Sequence, residues 1–177
     1  MKKSKVYKRV ETSWKTDPSE KDCLKQGGHK LWKFVHHDDF QYQSTMLEGR
    51  EFDSKWLKID NDGTITVKGS QDQKRGYAWD GCTPKFNFLQ ITWGNFDGNM
   101  HKHFILSTGQ HSYKPKTYYA SMVHDVLYQY KRCVPVTRKE ADRIFLYQLR
   151  EAKWMWAGLY WVGVRLFGWV FRGWAHR

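Results

Sequence analysis

Residues 117–152 read TYYASMVHDVLYQYKRCVPVTRKEADRIFLYQLREA. Two periodic segments lie in this stretch, separated by CVPV. In the first, Tyr119, Met122, Val123, Val126, Leu127 and Tyr130 recur at helical spacing. Pro115 just upstream and Thr117 at the start mark where that helix begins. In the second, Ala141, Ile144, Phe145, Leu149 and Ala152 form an apolar stripe. Thr137 and Glu140 fit a capping box, in which the two side chains satisfy amide donors that the first turn leaves orphaned. A short connection between two such helices makes them antiparallel neighbours.

Upstream, the period changes. KWLKIDNDGTITVKG, residues 55–69, alternates Leu57 and Ile59 before the turn residues Asn61, Asp62 and Gly63. Ile65 and Val67 alternate after them, so the segment predicts a β-hairpin. KLWKFVHHDDFQY, residues 30–42, predicts a short strand around Trp32 and Phe34. FLQITWGNFDGNMHKHFIL, residues 88–106, reads as extended chain with glycine breaks. A strand-rich first half followed by a helical second half is an α+β architecture. The expected organisation is a basic arm over residues 1–28 and one α+β domain over 29–177. Within it, 151–177 forms an aromatic C-terminal helical segment.

The chain has 177 residues, 40% hydrophobic and 17% aromatic, with 10 Trp. That length supports a core without a metal or a disulfide framework, and aromatic rings must fill much of it. The net charge of +12 favours an anionic partner. An anionic membrane surface and nucleic acid both stay open as partners. No zinc-finger spacing, arginine-rich run or RNA-binding signature narrows the choice. Nor is there a Walker loop, nucleophile elbow or dinucleotide fingerprint. Cys23, Cys82 and Cys133 are odd in number and lack a C-x-x-C pair, and the basic N-terminus is not followed by an apolar signal core. A reducing cytosol is therefore the expected compartment.

On a helical wheel Tyr128 falls about 40° from His124, and Asp125 about 100° away on a more open flank. Asp142 lies on the stripe of Phe145, Leu146 and Leu149, where an unpaired carboxylate would cost several kcal/mol. His124, one connection earlier, is the suitable partner, with Tyr128 as a further donor. Two readings follow. In one, Asp142 fixes the His124 tautomer and the other ring nitrogen takes a proton from water. In the other, the trio ties two helices together.

YAWDGCTPK, ASMVHDVLYQY, TRKEADRIF and LYWVGVRLFG, in that order, resemble a family of small phage and prophage proteins of unknown function. The resemblance covers roughly residues 55–170. It implies a host cytoplasm or virion location and phage structural proteins as partners. A second resemblance concerns chemistry. H-D-x-x-Y on one helix with an Asp on the next is similar to the phospholipase A(2) arrangement. That likeness implies His124 as general base, Asp142 as its orienting partner and Tyr128 as a donor to that carboxylate. It also implies Asp125 as a calcium ligand, with Asp80 and Gly81 in the loop GYAWDG supplying further oxygens. A hard cation with oxygen ligands polarises an ester carbonyl. The glycine pattern of this loop differs from that of those enzymes, and their paired cysteines are missing.

The C-terminal run WMWAGLYWVGVRLFGWVFRGW carries Arg165 in its middle, which costs roughly 2.5–3.5 kcal/mol in a membrane span. A transmembrane helix is not expected. A core helix and an interfacial segment remain, the latter with Trp169, Phe171 and Trp174 among headgroups and Arg172 and Arg177 on phosphates. His101 and His103 would point the same way on a strand, but no third metal ligand is evident and they read as surface residues. HHDD, His36 to Asp39, reads as a polar loop. The functional expectation is a phospholipase A(2)-like hydrolase acting on a lipid ester, with a non-catalytic phage accessory or virion protein as the alternative.

Overall fold

The computed structural model describes residues 34–69, 77–79, 81–82, 86–88, 91–93, 97–167 and 174. The basic arm expected over residues 1–28, and Trp32 with it, lies outside them. Strands fill the first half of the chain and helices the second, an α+β arrangement.

In chain order the strands begin with β1 (Phe34–His36), β2 (Phe40–Gln43), β3 (Phe52–Asp53), β4 (Leu57–Ile59) and β5 (Thr64–Val67). There follow β6 (Tyr77–Trp79), β7 (Phe86–Phe88), β8 (Ile91–Trp93), β9 (Met100–Ile105) and β10 (Gln110–Pro115). They pair as a four-stranded sheet of order β2-β5-β4-β3 and three two-stranded ribbons, β1-β6, β7-β8 and β9-β10. All pairings are antiparallel.

The predicted hairpin is β4–β5, with Ile59 opposite Ile65 and Leu57 opposite Val67. Gly63 takes φ +83° at its turn, a conformation that side chains other than glycine rarely adopt. A second lock holds the turn: Ser44 N donates to Gly63 O at 3.1 Å and Gly49 N to Asn61 O at 2.8 Å. His36 departs from the polar-loop expectation. It closes β1 and stands edge-on to Phe40, Tyr118 and Tyr119, with ring centroids 5.8–6.5 Å away. An imidazole with an apolar body joins an aromatic cluster readily.

The helices are α1 (Tyr118–Gln129), α2 (Arg138–Glu151) and α3 (Ala157–Phe167). Thr137 and Glu140 form the expected capping box on α2. Thr117 precedes α1 as expected but does not cap it with its side chain. Its hydroxyl instead donates to Asp97 O at 3.1 Å. One core cluster joins the sheet residues Leu57, Ile59, Ile65 and Val67 to Met122, Val126, Leu127 and Ile144 of α1 and α2. A second holds Phe145, Leu149, Trp154, Ala157 and Val164 around the start of α3.

Three polar links fix the halves in register. The Trp79 indole N–H donates to Ser121 Oγ at 3.0 Å. The Trp56 amide donates to the Tyr130 hydroxyl at 3.3 Å. Arg50 grips both Glu140 oxygens, at 2.6 and 2.8 Å, and so docks the strand-rich half onto the N-terminus of α2.

Cys82 is a buried thiol in no disulfide, whereas Cys133 is disulfide-bonded. The two do not pair.

Candidate functional site

The site is built on the α1–α2 hairpin. After α1, the amides of Cys133 and Val134 both donate to Tyr130 O at 2.9 Å, which turns the chain. The capping box then starts α2 at a defined angle. Asp142 sits one turn into α2, on its buried face, fully shielded from solvent. His124 and Tyr128, one turn apart on α1, share the facing side, as their spacing predicts.

His124 Nε2 lies 3.0 Å from Asp142 Oδ1. A carboxylate only accepts, so Nε2 carries the proton and Nδ1 of the neutral ring carries the lone pair. The Tyr128 hydroxyl donates to the same Oδ1 at 2.6 Å. The imidazole is also packed between Tyr128 and Phe145, with ring centroids at 4.2 and 4.8 Å. Ring packing and the Nε2 bond together leave His124 a single orientation.

The other carboxylate oxygen is held by arginines. Arg165, from the last turn of α3, donates to Asp142 Oδ2 at 3.0 Å. Arg138, four residues before Asp142 on α2, places its Nε 3.6 Å from Oδ2. Arg138 also donates to Arg165 O at 2.5 Å, occupying a carbonyl at the end of α3. Asp142 thus receives donors from α1 and α3 besides its own helix. Burial alone would push its carboxyl up, but the bonds from His124, Tyr128 and Arg165 outweigh that and hold it below the usual carboxylate range. Burial and the Asp142 charge push the Tyr128 phenol well up, so it stays a donor.

Asp125 is partly exposed, with Oδ1 4.0 Å from His124 Nδ1. It lies beside the ring nitrogen that Asp142 does not use. Burial raises the phenol of Tyr77 on β6, and the Asp125 charge adds to that. Asp80 and Gly81 are the other residues expected to ligate calcium. Asp80 lies outside the described residues. Gly81 has φ +79°, and a Cβ there would run into Asp97 Oδ1 and Phe34. Asp97 in turn is bonded to Thr117 at the N-terminal end of α1. Asp125 lies eight residues further, about 12 Å along the helix. Both Asp142 oxygens are taken by donors. Among the described residues no three His, Cys, Asp or Glu side chains cluster to hold a metal. The described donor set around Asp125 does not make a calcium cage, which needs six or more oxygens.

His101 and His103 do share a face of β9, with ring centroids 4.9 Å apart. His103 is half-buried, and its Nε2 lies 3.1 Å from Pro115 O. That partner makes it a structural group of the β9–β10 ribbon.

Arg138 and Arg165 belong to the site, and the sequence reading did not find them there. Arg138 was legible, since i to i+4 from Arg to Asp is a neighbour spacing on a helix. Arg165 was read only as a charge interrupting an apolar run. Its partner is 23 residues away, and no local pattern connects them. Trp174, expected among headgroups in the interfacial reading, instead stands edge-on to Tyr128 with ring centroids at 4.9 Å. Trp169, Phe171, Arg172 and Arg177 lie outside the described residues.

Residues 105–164 match a family model described as "Protein of unknown function (DUF1353)". The matched segment begins at the end of β9, contains His124, Asp125, Tyr128, Arg138 and Asp142, and stops one residue before Arg165. No curated protein and no solved structure matches the chain. Among the described residues no helix is long and apolar enough to cross a membrane.

Proposed function

We propose that this chain is a phage-encoded hydrolase of phospholipase A(2)-like design, acting on a lipid ester. The observation that carries the reading is the division of labour on His124. Nε2 is committed to Asp142 at 3.0 Å, and Nδ1 faces the partly exposed Asp125 side. In this reaction Nδ1 accepts a proton from water as the oxygen attacks the ester carbonyl. The imidazolium then returns that proton to the departing alcohol. Asp142 holds the tautomer and stabilises the cationic ring, and Tyr128 keeps Asp142 in place. Calcium, when bound, would polarise the ester carbonyl. Because the described residues do not form its cage, it enters as a variable of the assay.

A lipid surface as partner is supported by α3. Met155, Leu159, Val162 and Leu166 are all exposed, the first by 81% and the last by 60%. Leu159, Val162 and Leu166 share one face of α3 at spacings of three and four residues, and Met155 lies two residues before the helix. Arg165 of the same helix turns the other way, onto Asp142. An exposed apolar stripe on a chain of net charge +12 suits an anionic bilayer.

The second reading is a non-catalytic accessory or virion protein. Arg165 and Arg138 favour it, because two guanidiniums on Oδ2 neutralise the charge a catalytic Asp lends its His. Here Asp142 would be a three-helix clasp.

The test is fatty-acid release from mixed anionic vesicles, with and without calcium, by wild type and His124→Ala of matched thermal stability. Release that disappears in the variant supports the hydrolase. No release from folded wild type, with a clearly less stable variant, overturns it in favour of the clasp.

A further inference from the structure

The β9–β10 ribbon has two unlike faces. Opposed residues of an antiparallel pair point the same way, and successive residues alternate. On the inner face His101, His103 and Ile105 stand opposite Lys114, Ser112 and Gln110. That face is anchored. Ile105 belongs to the larger core cluster, and the His103 ring stands edge-on to Tyr119 with centroids at 5.1 Å. Lys114 places its Nζ 5.1 Å from the Tyr118 ring centroid. On the outer face Met100, Lys102 and Phe104 stand opposite Pro115, Tyr113 and His111. Here Phe104 is 57% exposed and Tyr113 65%. A two-stranded ribbon holds its shape through the face it packs, so the outer rings are not what keeps it folded.

The outer face has its own order. Phe104 and Tyr113 are diagonal neighbours across the pair, a relation that sets two residues about 7–8 Å apart. Each ring has a basic group directly opposite. His111 stands edge-on to Phe104 with centroids at 5.5 Å, and Lys102 is the partner of Tyr113. Lys102 is also two residues from Phe104 along β9, so one ammonium adjoins both rings. No Asp or Glu occurs between Gly98 and His124, whereas three Lys and three further His fall in that interval. Lys116, just past the ribbon, extends its Nζ to Lys153 O at 2.9 Å. Burial first, then the charges of Lys116 and Lys153, hold the His101 ring below its usual pKa range.

We propose that the outer face of the β9–β10 ribbon binds single-stranded nucleic acid. Unpaired bases stack on Phe104 and Tyr113, and Lys102 takes a phosphate between them. Every base has a π face, so such binding tolerates sequence. The bases of a duplex are already stacked on one another and do not reach the rings. Other anionic partners suit the face less. The centre of a protein interface selects against Lys, and Lys102 stands at the centre here. A bilayer takes a continuous apolar stripe, which α3 offers, whereas the ribbon interrupts its rings with charge. The inference goes beyond the hydrolase reading and stands without it, because His124, Asp125, Tyr128 and Asp142 all lie outside the ribbon.

The probe is a labelled oligothymidylate of about 12 nucleotides, titrated by anisotropy against the full-length wild type at low and moderate salt. An oligouridylate of equal length tells RNA from DNA, and binding of either supports the proposal. Phe104→Leu and Tyr113→Leu keep apolar bulk but remove the π face. Each should weaken binding about tenfold and leave the melting temperature unchanged. Lys102→Gln should reduce the slope of log K against log salt by about 0.7, the loss of one phosphate contact on a single strand. In the wild type the oligonucleotide should shift the backbone amide resonances of residues 100–104 and 111–114, a reading that needs no variant. Full-strength binding by both leucine variants would assign the affinity to net charge alone and overturn the proposal. Amide shifts confined to other segments, a duplex bound as tightly as the single strand, or no binding at low salt also overturn it. So does a loss in the leucine variants of binding to anionic vesicles but not to the oligonucleotide, which would make the face a membrane surface.

Discussion

Arg165 Nη1 donates to Asp142 Oδ2 at 3.0 Å, from the last turn of one helix to the buried face of another. Asp142 is thereby a carboxylate on which α1, α2 and α3 all converge. Removing it leaves Arg138 and Arg165 facing each other without a counter-charge. Asp142→Asn should cost about 3–5 kcal/mol, the usual penalty for breaking a buried pair from one side. Arg165→Met should cost about 1 kcal/mol, because that side chain is 36% exposed and water solvates what is lost. Urea unfolding of the two variants checks the order. An Arg165 variant as damaged as the Asp142 variant would mean that the charge is balanced elsewhere.

The tautomer of His124 is a separate expectation. Nitrogen-15 spectra of the ring, recorded where the imidazole is neutral, should show Nε2 protonated and Nδ1 bare. Asp142→Asn offers a side-chain N–H as well as an oxygen, so the preference should weaken. In the hydrolase reading the same variant should lower kcat by about 10⁴-fold, as loss of a tautomer-fixing carboxylate does. A wild-type ring protonated on Nδ1 would remove the proposed base.

The two helices, their capping box and the β4–β5 hairpin were legible because each is a local pattern. Thr137 and Glu140 are three residues apart, and Asn61-Asp62-Gly63 sits between two alternating runs. The His124–Asp142–Tyr128 trio was legible for a subtler reason. An acid on an apolar stripe needs a partner, and the connection is short enough to name it. Arg165, Trp174 and the Arg50–Glu140 pair were not legible, because their contacts join segments that only the folded chain brings together. His36 was misread because its polar neighbours suggested a loop, whereas three distant rings enclose it.

Acid should destabilise the protein in two steps. Burial lowers the His36 pKa from 6.5 to about 4. A group whose folded pKa is depressed binds its proton more tightly in the unfolded chain. Its contribution is full above pH 6.5 and lost as pH falls toward 4, an effect of about 1–3 kcal/mol. Glu140 follows. Its bond to Arg50 chiefly lowers its pKa from 4.5 to about 2, so that contribution holds above pH 4.5 and fades toward 2. Urea midpoints at pH 7 and pH 5 should therefore fall for the wild type. His36→Phe, which keeps a ring among Phe40, Tyr118 and Tyr119, should flatten that interval. An unchanged slope in the variant would assign the loss to another group.

Two glycines separate backbone strain from steric exclusion. Gly63 and Gly109 both have positive φ, +83° and +64°. A Cβ on Gly109 meets nothing within 4 Å, whereas one on Gly63 runs into Ser44 O and comes within 3.1 Å of Glu48 N. Those backbone groups belong to the turn that locks the hairpin, and they cannot move without breaking the Ser44–Gly63 bond. Gly109→Ala should cost about 1 kcal/mol, the left-handed backbone penalty alone. Gly63→Ala should cost about 3 kcal/mol, since the clash adds to the same penalty. Thermal melts of both variants read the difference directly. Equal losses would show that the turn at Thr45–Leu47 can give way, and that the hairpin is held by its strands and not by its tip.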